Sequence, residues 1–308
     1  MGAMSDPLTL MTVHAHPDDE TIATGGVMAK YAAQGIRVVC VTCTYGEVGE
    51  IVVPALDTPA NHARLGEIRQ LELARALARL GPIEHHWLGY RDSGMEGAPD
   101  NDDPRSFWQA DLEEATGRLV GIVRRERPHV LVSYNDAGGY LHPDHIRAAQ
   151  IAKAAFARAG DPLAYGEQLR GPRALEPWAP RKFYEIVLDI ERREELNALL
   201  REQGIEPPWG PRADETDEQR RAREEWLARM AAAQGPVTTR VDVSDFLEAK
   251  HAALREHATQ IAQDSPFLAI TPAQWRRIAP TEDFTLRESR VAPVRLPEDD
   301  LFAGLREQ

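Results

Sequence analysis

Histidine, two aspartates and a glutamate crowd into five consecutive positions, His16-Pro17-Asp18-Asp19-Glu20, directly after the apolar run LTLMTVHA. Such a density of ionisable groups beside a core strand is unfavourable unless the groups hold something. Imidazole nitrogens and carboxylate oxygens are the donors a borderline-soft divalent ion such as zinc prefers. A hydrolytic zinc site takes three protein ligands and leaves one position for water. His16 and Asp19 fit as two ligands. A group of the same composition, His142-Pro143-Asp144-His145, follows the run HVLVSYN and the turn DAGGY, and on composition either of its histidines suits as the third. The competing account is a helix N-cap, because one aspartate opening TIATGGVMAKYAAQ would satisfy free backbone N–H groups. A cap needs one aspartate. It explains neither His16, nor the second aspartate, nor the matching downstream group. His14 lies two positions before His16 on the same strand face, where an imidazole that is packed or supports a ligand fits as well as one with a direct role.

Two groups so far apart in sequence meet only if the fold brings strand ends together. From Leu8 to about Gly160, short apolar runs (LTLMTVHAH, IRVVCVTCT, HHWLGY, HVLVSYN) alternate with helical segments. Continuously apolar strands separated by helices imply a parallel sheet covered on both faces. The expected class is therefore α/β: a Rossmann-like, doubly wound, mainly parallel sheet with an irregular α+β C-terminal extension. We divide it into a catalytic unit over residues 5–165 and an extension over 166–308 packed across the site. In such sheets ligands bind outside the carboxyl ends of the strands, where HPDDE and HPDH fall. No G-x-G-x-x-G follows the first strand, which argues against a dinucleotide.

The chain has 308 residues, 43% hydrophobic and 28% charged, with a formal net charge of -13. Acidity spread along the chain makes nucleic acid and anionic membranes poor partners. A soluble, cytoplasmic protein acting on a small molecule is expected, and a homo-oligomer is compatible with the sequence. Met1-Gly2-Ala3, ahead of a second start at Met4, reads as a cloning remnant. Cys40 and Cys43 have C-x-x-C spacing, but residues three apart on a strand point to opposite faces, so two small core residues are expected rather than a redox or metal pair. In the helix spanning 64–80, Leu65, Leu73, Ala76, Leu77 and Leu80 form one stripe with Arg69 in its middle and Glu72 at its edge. A buried arginine needs a partner: an ion pair with Glu72, or a ligand's hydroxyls. The charged stretch from Asp214 to Met230 reads as a solvated helix, with a lid or oligomer contact as the lesser option. HATQ, at 257–260, reads as a surface or capping segment.

AHPDDE together with GGY and HPDH resembles the signature of the LmbE and PIG-L family of zinc-dependent N-acetylglucosaminyl deacetylases. The likeness extends through TCTYGEVGEI, EIRQLELARALARLG, RDSGM, RPHVLVSYNDAGGY, HATQI, PTEDF and LFAGL. Within the family the chain is similar to the mycothiol enzymes, with the late segments favouring the S-conjugate amidase branch. The resemblance implies zinc ligands His16, Asp19 and His145, a His-Asp-His set that also accepts iron(II). It implies Asp18 as general base, His142 as oxyanion stabiliser or proton donor, Asp144 tuning His142, and Tyr140 closing over the site. Arg69 and Asp92 would contact substrate, with Glu47 in the same shell. The expected activity is hydrolysis of an N-acyl bond on a glucosaminide, amidase-like, with deacetylation of N-acetylglucosaminyl-inositol or another N-acetylglucosaminide as the alternative. A noncatalytic, metal-dependent carbohydrate-binding protein would need neither Asp18 nor His142.

Overall fold

A computed structural model describes residues 7–187, 190–205, 207, 210–211 and 215–306. Met1–Ala3, Met4, the end of RKFYEIVLDI, Asp214 and part of the proline-rich stretch before it lie outside these residues.

The strand Thr9–His14 (β1) is buried at all six positions and leads into the helix Asp19–Ala33 (α1). Next come Arg37–Thr44 (β2), the short helix Pro59–His62 (α2), Leu65–Leu80 (α3) and Ile83–Tyr90 (β3). Leu112–Glu126 (α4), Val130–Ser133 (β4) and Pro143–Arg158 (α5) complete the expected alternation. Beyond it lie Lys182–Val187 (β5), Ile190–Glu202 (α6), Asp217–Ala233 (α7) and Thr239–Asp242 (β6). The last elements are Leu247–Leu254 (α8), Pro266–Ala269 (α9), Pro272–Ile278 (α10) and Thr281–Ser289 (β7).

The seven strands form one sheet in the order β3-β2-β1-β4-β5-β7-β6. The first five run parallel and β7 is antiparallel to both its neighbours. The α/β class read from the sequence holds, while β5, β7 and β6 extend the same sheet beyond residue 165. β7 escaped the sequence reading because TEDFTLRES carries too many charges for an apolar run. Its burial comes from lying between β5 and β6. Cys40 and Cys43 are free and buried in the cores on opposite sides of the sheet. No helix among the described residues is long and apolar enough to cross a membrane.

Close packing between the two halves needs a residue without a side chain in α1. A Cβ on Gly26 would sit 2.7 Å from Val243 and 2.9 Å from Glu282. The C-terminal segment is also tied electrostatically. Lys182 on β5, 1% exposed, donates to Glu298 at 2.7 Å, and the hydroxyl of Tyr184 donates to the same carboxylate at 2.6 Å. Replacing one partner of such a pair strands the other in the core, at a cost of about 3–5 kcal/mol. Lys182→Met is therefore expected to lower unfolding stability by about that amount in urea denaturation, with the catalytic rate of the folded fraction unchanged.

Candidate active site

The four loops leaving the carboxyl ends of β1, β2, β3 and β4 converge, and β1 beside β4 is where the winding of the sheet reverses. From β1 comes the turn His16–Asp18. Asp18 has φ 120° and makes no side-chain cap to α1. The helix-cap account of the aspartates thus fails at Asp18, and the strained backbone, costing about 1–3 kcal/mol, is held from outside. Asp19, in the first turn of α1, instead accepts the backbone N–H of His16 at 2.8 Å.

From β4 the chain runs through Tyr134 and a turn in which Asn135 Oδ1 accepts from the N–H groups of Ala137 and Gly139. Gly138 has φ 63°, and a Cβ there would lie 2.5 Å from that of His145. That close approach lets the Gly138 carbonyl accept from His145 Nδ1 at 3.0 Å. His142 caps α5, its Nδ1 accepting the Asp144 N–H at 3.1 Å.

Three ligand atoms face one another here. His16 Nδ1 and His145 Nε2 are 3.2 Å apart, Asp19 Oδ2 is 3.2 Å from the latter and 3.4 Å from the former, and all three residues are buried. Donor atoms around a tetrahedral zinc, each about 2.0–2.1 Å from the ion, are separated by about 3.3–3.4 Å. The outward nitrogens are already engaged, His145 Nδ1 by Gly138 and His16 Nε2 by Asp144 Oδ2 at 3.2 Å. This leaves lone pairs on the two facing nitrogens, an arrangement that a cation relieves. Burial disfavours charge on His16, yet Asp92, Asp144 and Asp19 outweigh it and draw its pKa well above the usual value. Positive charge is favoured at this point, and the donor set fits a zinc ion.

Asp144 packs its side chain away from the backbone contact it makes with His142. Its carboxylate touches the His16 ring and accepts from Ser93, at the exit of β3, through the backbone N–H at 2.9 Å and through the hydroxyl. The Asp144 side chain thus lies against His16, while His142 meets its backbone N–H. The reason is the first turn of α5, which aims the Asp144 side chain back toward β1. His142 stands with its ring centroid 4.5 Å from that of His16, and burial, with His16 and His145 nearby, lowers its pKa to about 2. With Nδ1 accepting, the ring proton belongs on Nε2.

Asp18 keeps its carboxylate free of backbone partners. Burial pushes its pKa up to about 6, with Arg69 opposing and the charge of Asp19 adding to the rise. Arg69 lies beneath it, 3% exposed, with Nη2 3.4 Å from Asp18 Oδ2 and donating to the Pro17 carbonyl at 2.6 Å. Its Nη1 donates to the Gly46 carbonyl at 2.8 Å. Both terminal nitrogens thus have a protein acceptor, and the guanidinium lies against the Asp18 side chain. The expected Arg69–Glu72 pair does not form, because Glu72 accepts from the N–H and hydroxyl of Thr259 at 2.9 and 2.7 Å.

Asp92 lies 3.6 Å from His16 and accepts from the Gly94 N–H. Burial would raise its pKa, but His16 holds it well below the carboxylate range. Glu47, on the loop after β2, accepts from the Asp92 N–H at 3.2 Å, and burial raises its pKa. Tyr140 sets its ring edge-on to His145, 4.6 Å between centroids. His14 is a packed imidazole, fully buried, 3.0 Å from the Thr24 hydroxyl and lowered by burial to about 4.

Three parts of the site escaped the sequence reading. Ser93 was hidden inside RDSGM. His257 is fully buried against Glu20 instead of lying on the surface. The helix α7 is mostly solvated as its composition reads, with Met230 alone buried, and it sets Trp226 and Met230 beside Tyr140 and Leu141 over the loop after β4, a contact the sequence does not specify.

Parallel-sheet architecture, a buried donor set fitted to a divalent cation and a carboxylate beside it that no backbone group engages define an α/β enzyme equipped for hydrolysis. The chain belongs to the PIG-L family, described as GlcNAc-PI de-N-acetylase, which matches residues 11–156. A relative from Nocardiopsis dassonvillei, named 1D-myo-inositol 2-acetamido-2-deoxy-alpha-D-glucopyranoside deacetylase, is 44% identical over 96% of this chain and 100% of its own length. A similarly named deacetylase 1 from Frankia alni is 42% identical over 95% and 99%. This chain is accordingly a hydrolase acting on amide bonds, and the amidase-branch expectation yields to the deacetylase alternative.

Among solved structures, the N,N'-diacetylchitobiose deacetylase from Pyrococcus horikoshii matches with a TM-score of 0.61 at 21% identity, over 91% of this chain and 84% of that one. The 4-carboxy-2-hydroxymuconate hydratase from Pseudomonas putida KT2440 matches with the same TM-score at 20% identity, over 94% and 99%. One fold carries both chemistries, so these two likenesses establish architecture alone.

Proposed function

We propose that this enzyme removes the acetyl group from 1D-myo-inositol 2-acetamido-2-deoxy-alpha-D-glucopyranoside as a zinc-dependent deacetylase, consuming water and releasing acetate and the free amine. The observation that carries this reading is the identity, spread over nearly the whole of both chains, with relatives bearing that name. A zinc ion held by His16, Asp19 and His145 would polarise the amide carbonyl and lower the pKa of a water from above 15 to about 7.

Asp18 would take up a proton from the water that attacks the carbonyl carbon. Its raised pKa and a carboxylate that makes no cap to α1 suit the task. His142 offers Nε2–H to the carbonyl oxygen as it gains charge. Because its Nδ1 is occupied as an acceptor, the ring acts as a neutral donor. The proton that the departing amine needs when the C–N bond breaks therefore comes from Asp18, which has just received it. Asp144 holds His16 in register, Tyr140 flanks His145 and closes the site, and Glu47 with the remaining oxygen of Asp92 accepts from sugar hydroxyls.

Metal analysis coupled to an amine-release assay tests the reading, run on the acetylated glucosaminyl-inositol and on its S-conjugated cysteinyl amide. Turnover should favour the acetylated substrate, stop on chelation and return with zinc. Release from the conjugate alone would restore the amidase branch.

A further inference from the structure

The strained turn at Asp18 is held by a chain of buried polar groups that begins at the other end of the protein. The Asp18 N–H donates to Glu20 Oε2 at 2.8 Å. The second oxygen of the same carboxylate, Glu20 Oε1, meets His257 Nε2 at 3.0 Å and accepts from the Thr21 hydroxyl. Glu20 and His257 are both fully buried. Two residues on, Thr259 is bonded to Glu72 on α3, the helix that carries Arg69. The Thr259 carbonyl also accepts the Val52 N–H at 2.9 Å, and Gln260 donates to the Glu50 carbonyl at 3.0 Å. The segment 257–260 is thereby fastened to α1, to α3 and to the loop after β2, all of which meet around Asp18.

We infer that Glu20 and His257 are a positioning pair for the Asp18 carboxylate. Glu20 holds the backbone N–H of Asp18 in its positive-φ conformation, and His257 fixes the Glu20 carboxylate so that it can. Arg69 grips the same turn from the opposite side through the Pro17 carbonyl and the Asp18 side chain. The turn is held at both ends, and neither grip touches the three metal-ligand atoms. A burial site for two ionisable groups is costly unless each is paired, and this pair spends its remaining oxygen on the one backbone N–H that sets where Asp18 points.

The inference rests on Asp18 being the general base, and the experiment separates the two claims. Glu20→Ala, Glu20→Gln, His257→Leu and Asp18→Asn are compared for zinc content, kcat, KM and, on the metal-free proteins, hydrogen-exchange protection of the Asp18 amide. Glu20→Ala should keep its zinc and its KM, lose about 10- to 100-fold in kcat, as expected when a reacting group is misplaced by about 1 Å, and expose the Asp18 amide. Glu20→Gln keeps an acceptor for the Asp18 N–H and a partner for His257, so most of the lost kcat and protection should return. His257→Leu should show the same two losses in smaller measure, and it serves as the reading if Glu20→Ala does not fold. Full kcat in folded, zinc-loaded Glu20→Ala overturns the positioning role, as does loss of zinc or an equal loss in Glu20→Gln. Retained turnover in Asp18→Asn overturns instead the general-base reading beneath it.

Discussion

Asp18→Asn should bind zinc as fully as the parent protein and turn over its substrate about 10²–10⁴ times more slowly, the range a positioned general base contributes. The substitution preserves the shape of the side chain and the backbone N–H that donates to Glu20, and asparagine tolerates positive φ better than most residues. What it removes is the capacity to take up a proton. Asp19, the adjacent carboxylate, cannot stand in, because its Oδ2 is committed between His16 and His145 and to the His16 N–H. Zinc analysis with steady-state kinetics on the acetylated glucosaminyl-inositol checks this. A variant that keeps its metal and more than a tenth of its turnover would show that another group carries the proton.

His145→Ala should lose both metal and turnover. It deletes one of three converging ligand atoms, leaving His16 and Asp19 to hold the ion with two. Without the ion the nucleophile is bulk water, whose pKa lies about nine units higher, so turnover should fall by more than about 10⁴-fold. Asp144→Asn makes a graded comparison. The carboxylate lies behind His16 and also accepts from Ser93, and removing such an outer partner weakens metal affinity by about 10–100-fold. Excess zinc should therefore rescue Asp144→Asn while leaving His145→Ala inactive. Rescue of both, or of neither, would mean that Asp144 and His145 stand in the same relation to the metal.

Architecture and donor chemistry were both legible in the order of the residues. Alternating apolar runs and helical segments defined a parallel sheet, and residue type in HPDDE and HPDH specified imidazole and carboxylate ligands at the ends of two strands. These features are local, because burial of a strand and donor type belong to individual residues and their near neighbours. The choice between His142 and His145 was not legible from composition, and neither was the target of the Asp144 side chain. Both depend on how the first turn of α5 faces β1 once the Gly138 turn has closed against His145.

Arg69 was legible as an expensive buried charge but its contact with Asp18 was not, because its partners lie on the turns after β1 and β2, distant in sequence. His257 looked like part of a polar surface stretch for the same reason. An ion pair across more than two hundred positions leaves no periodicity for a sequence to display. The folded chain shows what no local pattern does: that His257 and Thr259 of HATQ are buried behind HPDDE, that a charge-rich segment becomes β7, and that α7 packs Met230 beside Tyr140. In each case burial was imposed by an element remote in the chain, and the residue's own neighbours carry no record of it.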